Sequence, residues 1–247
     1  MFFLSCVSPN KATVNLQVKD VVDGDTVVLS DGRHMRLIGI DTPEIHIKEG
    51  NDFVFSPKPF SLMAKKTLED LVKNKIIEVE FDIEKKDKYD RLLGYCFLNT
   101  KEGRKFVNKE LIEKGLAVIY FIPPNLKYFD DLSYAQKQAV ENKLGLWQDQ
   151  ETASVCDAGD FVDQIRSLKG HMDYSYSTNK GVVLGFGCED NQDFHLFIFK
   201  DILDFFVKKG INLEKYKGKE VRVLGRIKMY NKYPEMIISS ASQIELN

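Results

Sequence analysis

The sequence contains little cysteine and no long apolar run. Four cysteines are scattered over 247 residues without a Cys-x-x-Cys pair. This spacing argues against a zinc site and does not imply a disulfide framework. No stretch approaches the roughly 18–20 apolar residues of a membrane-spanning helix. The chain also lacks an excess of charge of either sign, since its net charge is −2. Any site for a polyanion must therefore be local.

The composition is that of an ordinary globular protein, with 43% hydrophobic and 29% charged residues. The length allows one large domain or two modest ones, each with its own core. Neither part is basic as a whole: residues 1–150 hold 22 Lys and Arg against 23 acidic residues, and residues 151–247 hold 13 against 14.

The first residues, MFFLSC, leave two interpretations open. They are either a flexible N-terminus (1–12) or the remnant of a lipoprotein signal that would place a lipid anchor on Cys6. The apolar run is too short to act as a signal by itself.

The segment Val21–Glu44 concentrates charge within apolar, β-branched sequence typical of barrel strands. It contains Asp25, Arg36, Asp41 and Glu44, more charge than a strand pair needs for folding. Aspartate oxygens suit Ca²⁺ or Mg²⁺. A glutamate can activate water, and arginines such as Arg36 and Arg91 can bind a phosphate through two hydrogen bonds.

Each of these motifs also has a purely structural interpretation. Asp-Gly-Asp is common in turns, and Asp-Thr-Pro-Glu can cap a helix or form a loop. Arg91 can pair with Asp87 or Asp90 at the surface. Only the combination favours phosphodiester hydrolysis.

The pattern predicts a first domain over 13–148 and a second over 161–247, joined by a small-residue linker at 149–160. The fold class is α+β, mainly β: a five-stranded barrel with three helices, followed by a second small barrel. We expect three strands between Thr13 and Asp41, a functional loop at Ile45–Pro59, a helix at Phe60–Lys73, and a short helix or lead-in at Phe161–Leu168.

The second domain has a local basic and aromatic segment. Nine Lys and Arg stand against two acidic residues between Lys208 and Lys232, with tyrosines interleaved. Such a surface suits a single nucleic-acid strand, whose phosphates bind cations and whose bases stack. The alternative is a solvated surface over core tyrosines. The candidate binding residues are Lys217, Lys219, Arg222, Arg226 and Tyr230.

Residues 14–147 resemble the staphylococcal nuclease family. The matching motifs are VVDGDTVVL, RLIGIDTPE, IEVEFD, DKYDR, VNKELIEKGLA and AQKQAVENKLGLW. The resemblance implies an OB-like barrel and Ca²⁺-dependent cleavage of DNA and RNA to 3′-phosphates and 5′-hydroxyls. It assigns Asp25, Asp41 and the Thr42 carbonyl to calcium. It assigns Glu44 as the general base, Arg36 and Arg91 to the phosphate, and Lys88, Tyr89 and Tyr120 to substrate.

Residues from about Gly181 to Leu246 resemble OB-fold nucleic-acid-binding modules of bacterial envelope nucleases, through LGFG, FIFKD, YKGKEVRVLGRI, YNKYPEMII and SQIEL. The resemblance implies a nuclease whose second domain holds single-stranded or duplex DNA, or RNA. The alternatives are a catalytically inactive binding protein and a second domain that docks a protein partner. We expect a monomer at the cell envelope or outside the cell, with the cytoplasm as the alternative.

Overall fold

The computed structural model describes residues 13–50, 52–148, 152–189 and 193–246. The expected N-terminal segment with Cys6 lies outside them. The strands are β1 (Thr13–Val21), β2 (Thr26–Leu29), β3 (His34–Leu37), β4 (Gly39–Asp41), β5 (His46–Glu49), β6 (Asp52–Phe55), β7 (Ile76–Glu80), β8 (Leu92–Thr100), β9 (Gly103–Phe106), β10 (Val118–Tyr120), β11 (Ala153–Ser154), β12 (Ile165–His171), β13 (Tyr174–Ser177), β14 (Gly181–Phe186), β15 (Phe194–Phe199), β16 (Glu220–Tyr230), β17 (Tyr233–Ile237) and β18 (Ile244–Leu246). The α-helices are α1 (Ser61–Val72), α2 (Val107–Glu113), α3 (Phe129–Glu141) and α4 (Lys200–Lys208).

The first barrel closes around a bent first strand. The start of β1 pairs with β7, and its end pairs with β2 after a register shift between Val18 and Asp20. Strand β2 then pairs with β3, β3 runs parallel to β8, and β8 returns to β7. Alternate residues such as Val18, Val27 and Met35 fill the interior. This five-stranded barrel with helices confirms the predicted α+β class.

The segment from Thr13 to Asp41 forms four strands rather than the predicted three. The chain turns at Gly39, whose φ is +81° and where a Cβ would lie 2.7 Å from the Phe121 ring. Only glycine tolerates both conditions. The turn separates β4 from β3 and lets β4 pair with β10, with Asp41 opposite Val118.

The predicted functional loop at Ile45–Pro59 contains a β-hairpin. Strands β5 and β6 pair from His46 opposite Phe55 to Glu49 opposite Asp52. Phe53 and Phe55 are exposed on it.

A second barrel repeats the order of the first. Strands β12 and β13 are two halves of one bent strand, because Met172 N donates to Lys219 O and Asp173 N to Gly185 O between them. The first half pairs with β16 and the second with β14. Strand β14 pairs with β15, β15 runs parallel to β17, and β17 returns to β16. Helix α4 follows the third strand, as α1 follows β3 and β4.

Over the described residues 152–160, the prediction of a linker at 149–160 is wrong. Strand β11 and a 3₁₀-helix (Val155–Phe161) occupy this segment, and Val155 is buried against the second barrel. Cys156 forms a disulfide with Cys188, although the cysteine spacing implied no framework. Scattered cysteines pair only when the fold brings them together. Strand β12 occupies the second half of the segment predicted as a helix or lead-in at Phe161–Leu168.

The two barrels pack directly against each other. Phe121 N donates to Ser239 Oγ at 3.0 Å, and the Gln136 amide donates to Ser242 Oγ at 3.0 Å. The rings of Phe129 and Phe205 stack with centroids 4.6 Å apart. The interface is therefore built from both apolar and hydrogen-bonded contacts. Within the described ranges, no helix is long and apolar enough to cross a membrane.

Candidate active site

The turn between β1 and β2 places the first carboxylate. Asp25 N donates to Asp23 Oδ1 at 3.0 Å, closing an Asx turn. A Cβ on Gly24 would lie 2.8 Å from the Thr42 Cβ, so glycine lets this turn approach Thr42. Asp25 Oδ2 accepts from Thr42 N at 3.1 Å. The Asp-Gly-Asp motif is thus a turn and a site element at once.

Arg36 joins the two aspartates. Its Nη1 lies 2.6 Å from Asp25 Oδ1, and its Nη2 lies 2.8 Å from Asp41 Oδ1. Burial raises the pKa of Asp25 to about 7, against the opposing effect of Arg36. Burial alone would lower the Arg36 pKa, but these carboxylates raise it above its usual value. The guanidinium therefore stays charged and holds Asp25 and Asp41 together.

Arg226, on β16 of the second barrel, enters the same site. Its Nε donates to Asp41 Oδ2, and its Nη2 donates to the Thr42 carbonyl at 2.5 Å. Its Nη1 donates to Asp163 O at 2.7 Å and lies 3.2 Å from Glu44 Oε1. Only 3% of its side chain is exposed. The prediction that Arg226 lies on a solvent-facing nucleic-acid surface is wrong, because this residue faces the first barrel.

Glu44 is the most accessible carboxylate of the group, with 38% of its side chain exposed. Burial raises its pKa, and the positive charge of Arg226 opposes this rise. The Asp41 pKa moves the other way: burial would raise it, but Arg226 and Arg36 bring it below its usual value. Glu44 therefore holds a proton more readily than Asp41, as a base that shuttles protons requires.

A cleft of about 460 Å³ opens at Arg36, the residue that binds Asp25 and Asp41. Five predicted site residues line it: Arg36, Lys88, Tyr89, Arg91 and Tyr120. Arg91 Nε donates to Asp87 Oδ2 at 2.7 Å. The alternative prediction, that Arg91 pairs with Asp87, is therefore also confirmed. This carboxylate orients Arg91 along the cleft wall.

Two residues that were not among the predicted site residues, Asp23 and Asp87, support the site. Asp23 is part of the turn that holds Asp25, and burial raises its pKa. Asp87 positions Arg91, whose hydrogen bond lowers the Asp87 pKa against the effect of burial. The spacing of Asp23 and Asp87 from their partners, two and four residues, is the signal that could have identified them.

Residues of Asp, Glu, His and Cys alone do not assemble a metal site within the described ranges. The oxygens expected to bind calcium nevertheless lie together: Asp25, Asp41 and the Thr42 carbonyl. All are hard donors of the kind that Ca²⁺ prefers, so their chemistry fits the ion. The same oxygens accept hydrogen bonds from Arg36 and Arg226.

The other predicted binding residues of the second barrel do not form one surface. Lys217 and Lys219 are exposed before β16, whereas Tyr230 ends that strand, roughly 30 Å away. Arg222 is half-buried and donates to Ser167 Oγ at 2.8 Å. The predicted continuous basic and aromatic face is therefore wrong.

Tyr230 instead belongs to an aromatic groove of about 600 Å³ on the second barrel. Its aromatic lining consists of Tyr176, His195, Phe197, Phe199, Tyr230 and Tyr233. Lys180 and Glu235 also line it. Burial raises the pKa of Glu235 to about 7. The groove combines stacking faces with a cation and a half-buried carboxyl.

Comparisons with known proteins match the first barrel. The family described as staphylococcal nuclease homologue matches residues 34–149. A thermonuclease of Staphylococcus intermedius is 40% identical over 134 residues, which cover 53% of this chain and 74% of the relative. A thermonuclease of Staphylococcus hyicus is 33% identical over 148 residues, covering 59% and 82%. Endonuclease YncB of Bacillus subtilis is 34% identical over 142 residues, covering 56% and 63%.

Proposed function

The chain belongs to the staphylococcal nuclease family, and from this premise we propose that it hydrolyses phosphodiester bonds of DNA and RNA in a Ca²⁺-dependent reaction. The observation that carries the proposal is a cleft lined by Arg36, Lys88, Tyr89, Arg91 and Tyr120, in which Arg36 also binds Asp25 and Asp41. A phosphate bound there would lie among cationic side chains, one arginine away from the two aspartates.

Asp25, Asp41 and the Thr42 carbonyl would hold the Ca²⁺. When bound, the ion supplies positive charge that polarises a phosphate oxygen. The other steps belong to side chains of the chain itself.

Arg91 binds the phosphate oxygens and stabilises the negative charge that grows on them in the transition state. Asp87 restricts its orientation through the 2.7 Å hydrogen bond, which reduces the entropy lost when the phosphate binds. Arg36 faces the same cleft while holding Asp25 and Asp41. Lys88 and Tyr89 contact the adjoining part of the strand, and Tyr120 contributes an aromatic ring to the same cleft.

Glu44 accepts a proton from the attacking water. Its partial exposure gives it access to water, and its raised pKa brings it closer to neutral pH. Attack of the water oxygen at phosphorus forms the new P–O bond and breaks the bond to the 5′ oxygen, which takes up a proton from solvent, while Glu44 releases its proton to solvent. The products are a 3′-phosphate and a 5′-hydroxyl.

The second barrel holds the nucleic acid through its aromatic groove. Bases stack on Tyr230, Tyr176 and Tyr233, and Lys180 neutralises a backbone phosphate. Tethering a binding surface to the cleft raises the local concentration of substrate.

We place the protein at the cell envelope or outside the cell, as a monomer. The disulfide between Cys156 and Cys188 supports this location, because disulfides persist in oxidising compartments. Abundant extracellular calcium would also fill a weak site.

The test is digestion of labelled single-stranded DNA, duplex DNA and RNA with Ca²⁺ or with chelator, by wild type and Glu44→Gln. We expect Ca²⁺-dependent cleavage that falls about 10²–10⁴-fold in the variant while substrate affinity persists. Absence of cleavage with every divalent metal, with binding intact, would instead favour a catalytically inactive binding protein. If oligonucleotides do not bind at all, the second barrel docks a protein partner.

A further inference from the structure

Strand β16 directs one side of the second barrel toward the first. Its residues alternate, so that Val221, Val223 and Ile227 lie in the barrel core while Arg222, Leu224 and Arg226 lie on the outer face. Leu224 packs in a cluster with Val118 and Trp147 of the first domain. Val118 pairs with Asp41 in the first barrel. Arg226 is the next outward residue of β16 after Leu224, and it therefore lies beside Asp41, to which it donates a hydrogen bond.

The scaffold that carries Arg226 is firmly packed. The hydrogen bonds Phe121–Ser239 and Gln136–Ser242 join the barrels. The carbonyl oxygen of Asp163 accepts a hydrogen bond from Arg226 Nη1. The guanidinium is therefore also fixed by a residue of its own domain. Arg226 therefore reaches the carboxylates as a fixed group and not as a mobile surface side chain.

The contacts of Arg226 coincide with the oxygens expected to bind the cation. Its guanidinium donates hydrogen bonds to Asp41 Oδ2 and to the Thr42 carbonyl oxygen, and it lies beside Glu44. A planar guanidinium satisfies several oxygen acceptors at once, as a metal ion does. Two of the expected ligands are thus engaged by a cation from the chain.

The charges point the same way. Carboxylates attract a divalent ion, and the guanidinium of Arg226 lies against two of them, Asp41 and Glu44. Removing Arg226 would leave one positive charge fewer to repel an added cation. Arg226 lowers cation affinity both by occupying ligands and by neutralising charge.

We propose that Arg226 of the second barrel is an internal occupant of the cation position, so that its guanidinium and a divalent ion compete for the oxygens of Asp41 and Thr42. This inference rests on the proposed function for the identity of the ion. Competition is reciprocal: bound cation weakens the contact of Arg226 with the first barrel, and that contact weakens cation binding. The second barrel thereby sets the cation concentration at which the site fills.

The experiment measures binding of Ca²⁺ by calorimetry, and of Tb³⁺ by luminescence, to the full chain without substrate. Arg226→Met removes the guanidinium, and Arg222→Met removes an arginine from the same face of the same strand without touching the carboxylates. We expect Arg226→Met to bind both ions on the order of tenfold more tightly than wild type. Arg222→Met should match wild type. Adding Asp41→Asn to Arg226→Met should abolish the gain.

Unchanged or weaker binding by a folded Arg226→Met would overturn the proposal, as would an equal gain in Arg222→Met. Thermal melts establish folding. If Arg226→Met does not fold, Arg226→Lys keeps the charge but loses the planar fork. It should bind ions more tightly than wild type, and failure to do so counts against the proposal.

Cleavage assays separate this proposal from the proposed nuclease function. Tighter ion binding without cleavage by any variant defeats the nuclease assignment alone, whereas Ca²⁺-dependent cleavage with unchanged ion affinity defeats only the competition.

Discussion

The two barrels share one strand order but differ in what lies on them. In each, a bent first strand pairs with two neighbours, the third and fifth strands run parallel, and a helix follows the third. The first barrel carries buried carboxylates joined by Arg36, whereas the second carries an aromatic groove and a disulfide. Equal topology therefore does not imply equal chemistry, which depends on the side chains at strand ends and on outer faces.

The comparison also shows where each barrel meets water. Asp25 and Asp41 of the first barrel are almost completely buried, while Tyr176, Tyr230 and Tyr233 of the second are exposed. The carboxylates need partners because buried charge without a counterion is costly. The tyrosines need none, since their rings tolerate solvent and offer stacking faces. We therefore expect turnover to depend on the first barrel and capture of substrate on the second.

The largest expected effect separates these two roles. Arg91→Ala should lower the turnover number about 10²–10³-fold, because it removes a donor to the transition-state phosphate. Tyr230→Ala should instead weaken oligonucleotide binding about 5–100-fold, at nearly constant turnover, through the loss of one stacking face. Steady-state kinetics and fluorescence anisotropy measure the two quantities. A loss of turnover in Tyr230→Ala equal to that in Arg91→Ala would show that catalysis and substrate binding are not separated between the two barrels.

The next effect concerns stability. The disulfide closes the chain between Cys156 and Cys188, 32 residues apart, in the second barrel only. Replacing both cysteines with serine should lower the free energy of unfolding by about 3–4 kcal/mol. Urea unfolding followed by fluorescence and circular dichroism measures this loss. Reduction of wild type should reproduce it. Cys96→Ala, at the buried free thiol of the first barrel, keeps the disulfide and should lose as much stability on reduction as wild type does. Equal response of wild type and double variant to reductant would contradict the assignment.

The smallest effect is pH-dependent and belongs to Glu235. Its folded pKa of about 7 lies above the ordinary value of 4.5, so the folded state retains a proton that the unfolded state loses. This carboxyl therefore makes wild type progressively less stable as the pH rises from about 4.5 to 7. Glu235→Gln removes that decline and should be more stable than wild type by about 1 kcal/mol at pH 8. The difference should vanish near pH 4.5. A constant difference across unfolding curves from pH 4.5 to 8 would argue that Glu235 titrates normally.

Much of the first barrel could be predicted from local sequence. Alternation of apolar residues identified its strands, and the predicted helix at Phe60–Lys73 lies close to α1 (Ser61–Val72). The predicted cleft residues, from Arg36 to Tyr120, do line one cavity. Their catalytic and binding roles stay predictions. Local signals worked here because the site is assembled mainly from the short segment between Asp25 and Glu44 and one further turn.

The second barrel shows where such prediction stops. The nearness in sequence of its basic and aromatic residues predicts a single surface. A strand, however, sends neighbours to opposite faces and separates its ends by tens of ångströms. Arg226 consequently faces the first barrel, Tyr230 faces a groove, and Lys217 lies at the far end.

The amino-acid sequence by itself determined the α+β class, the main strands of the first barrel and the position of α1. These follow from periodicity and turn chemistry, which act between residues near in the chain. The cleft residues Lys88, Tyr89 and Tyr120 rest instead on the resemblance to the nuclease family. Only the tertiary structure decided the pairing of Cys156 with Cys188, the strand pair that places Asp41 opposite Val118, and the arrival of Arg226 at Asp41. Asp41 and Arg226 are 185 residues apart, and a contact at that separation depends on how two complete barrels pack.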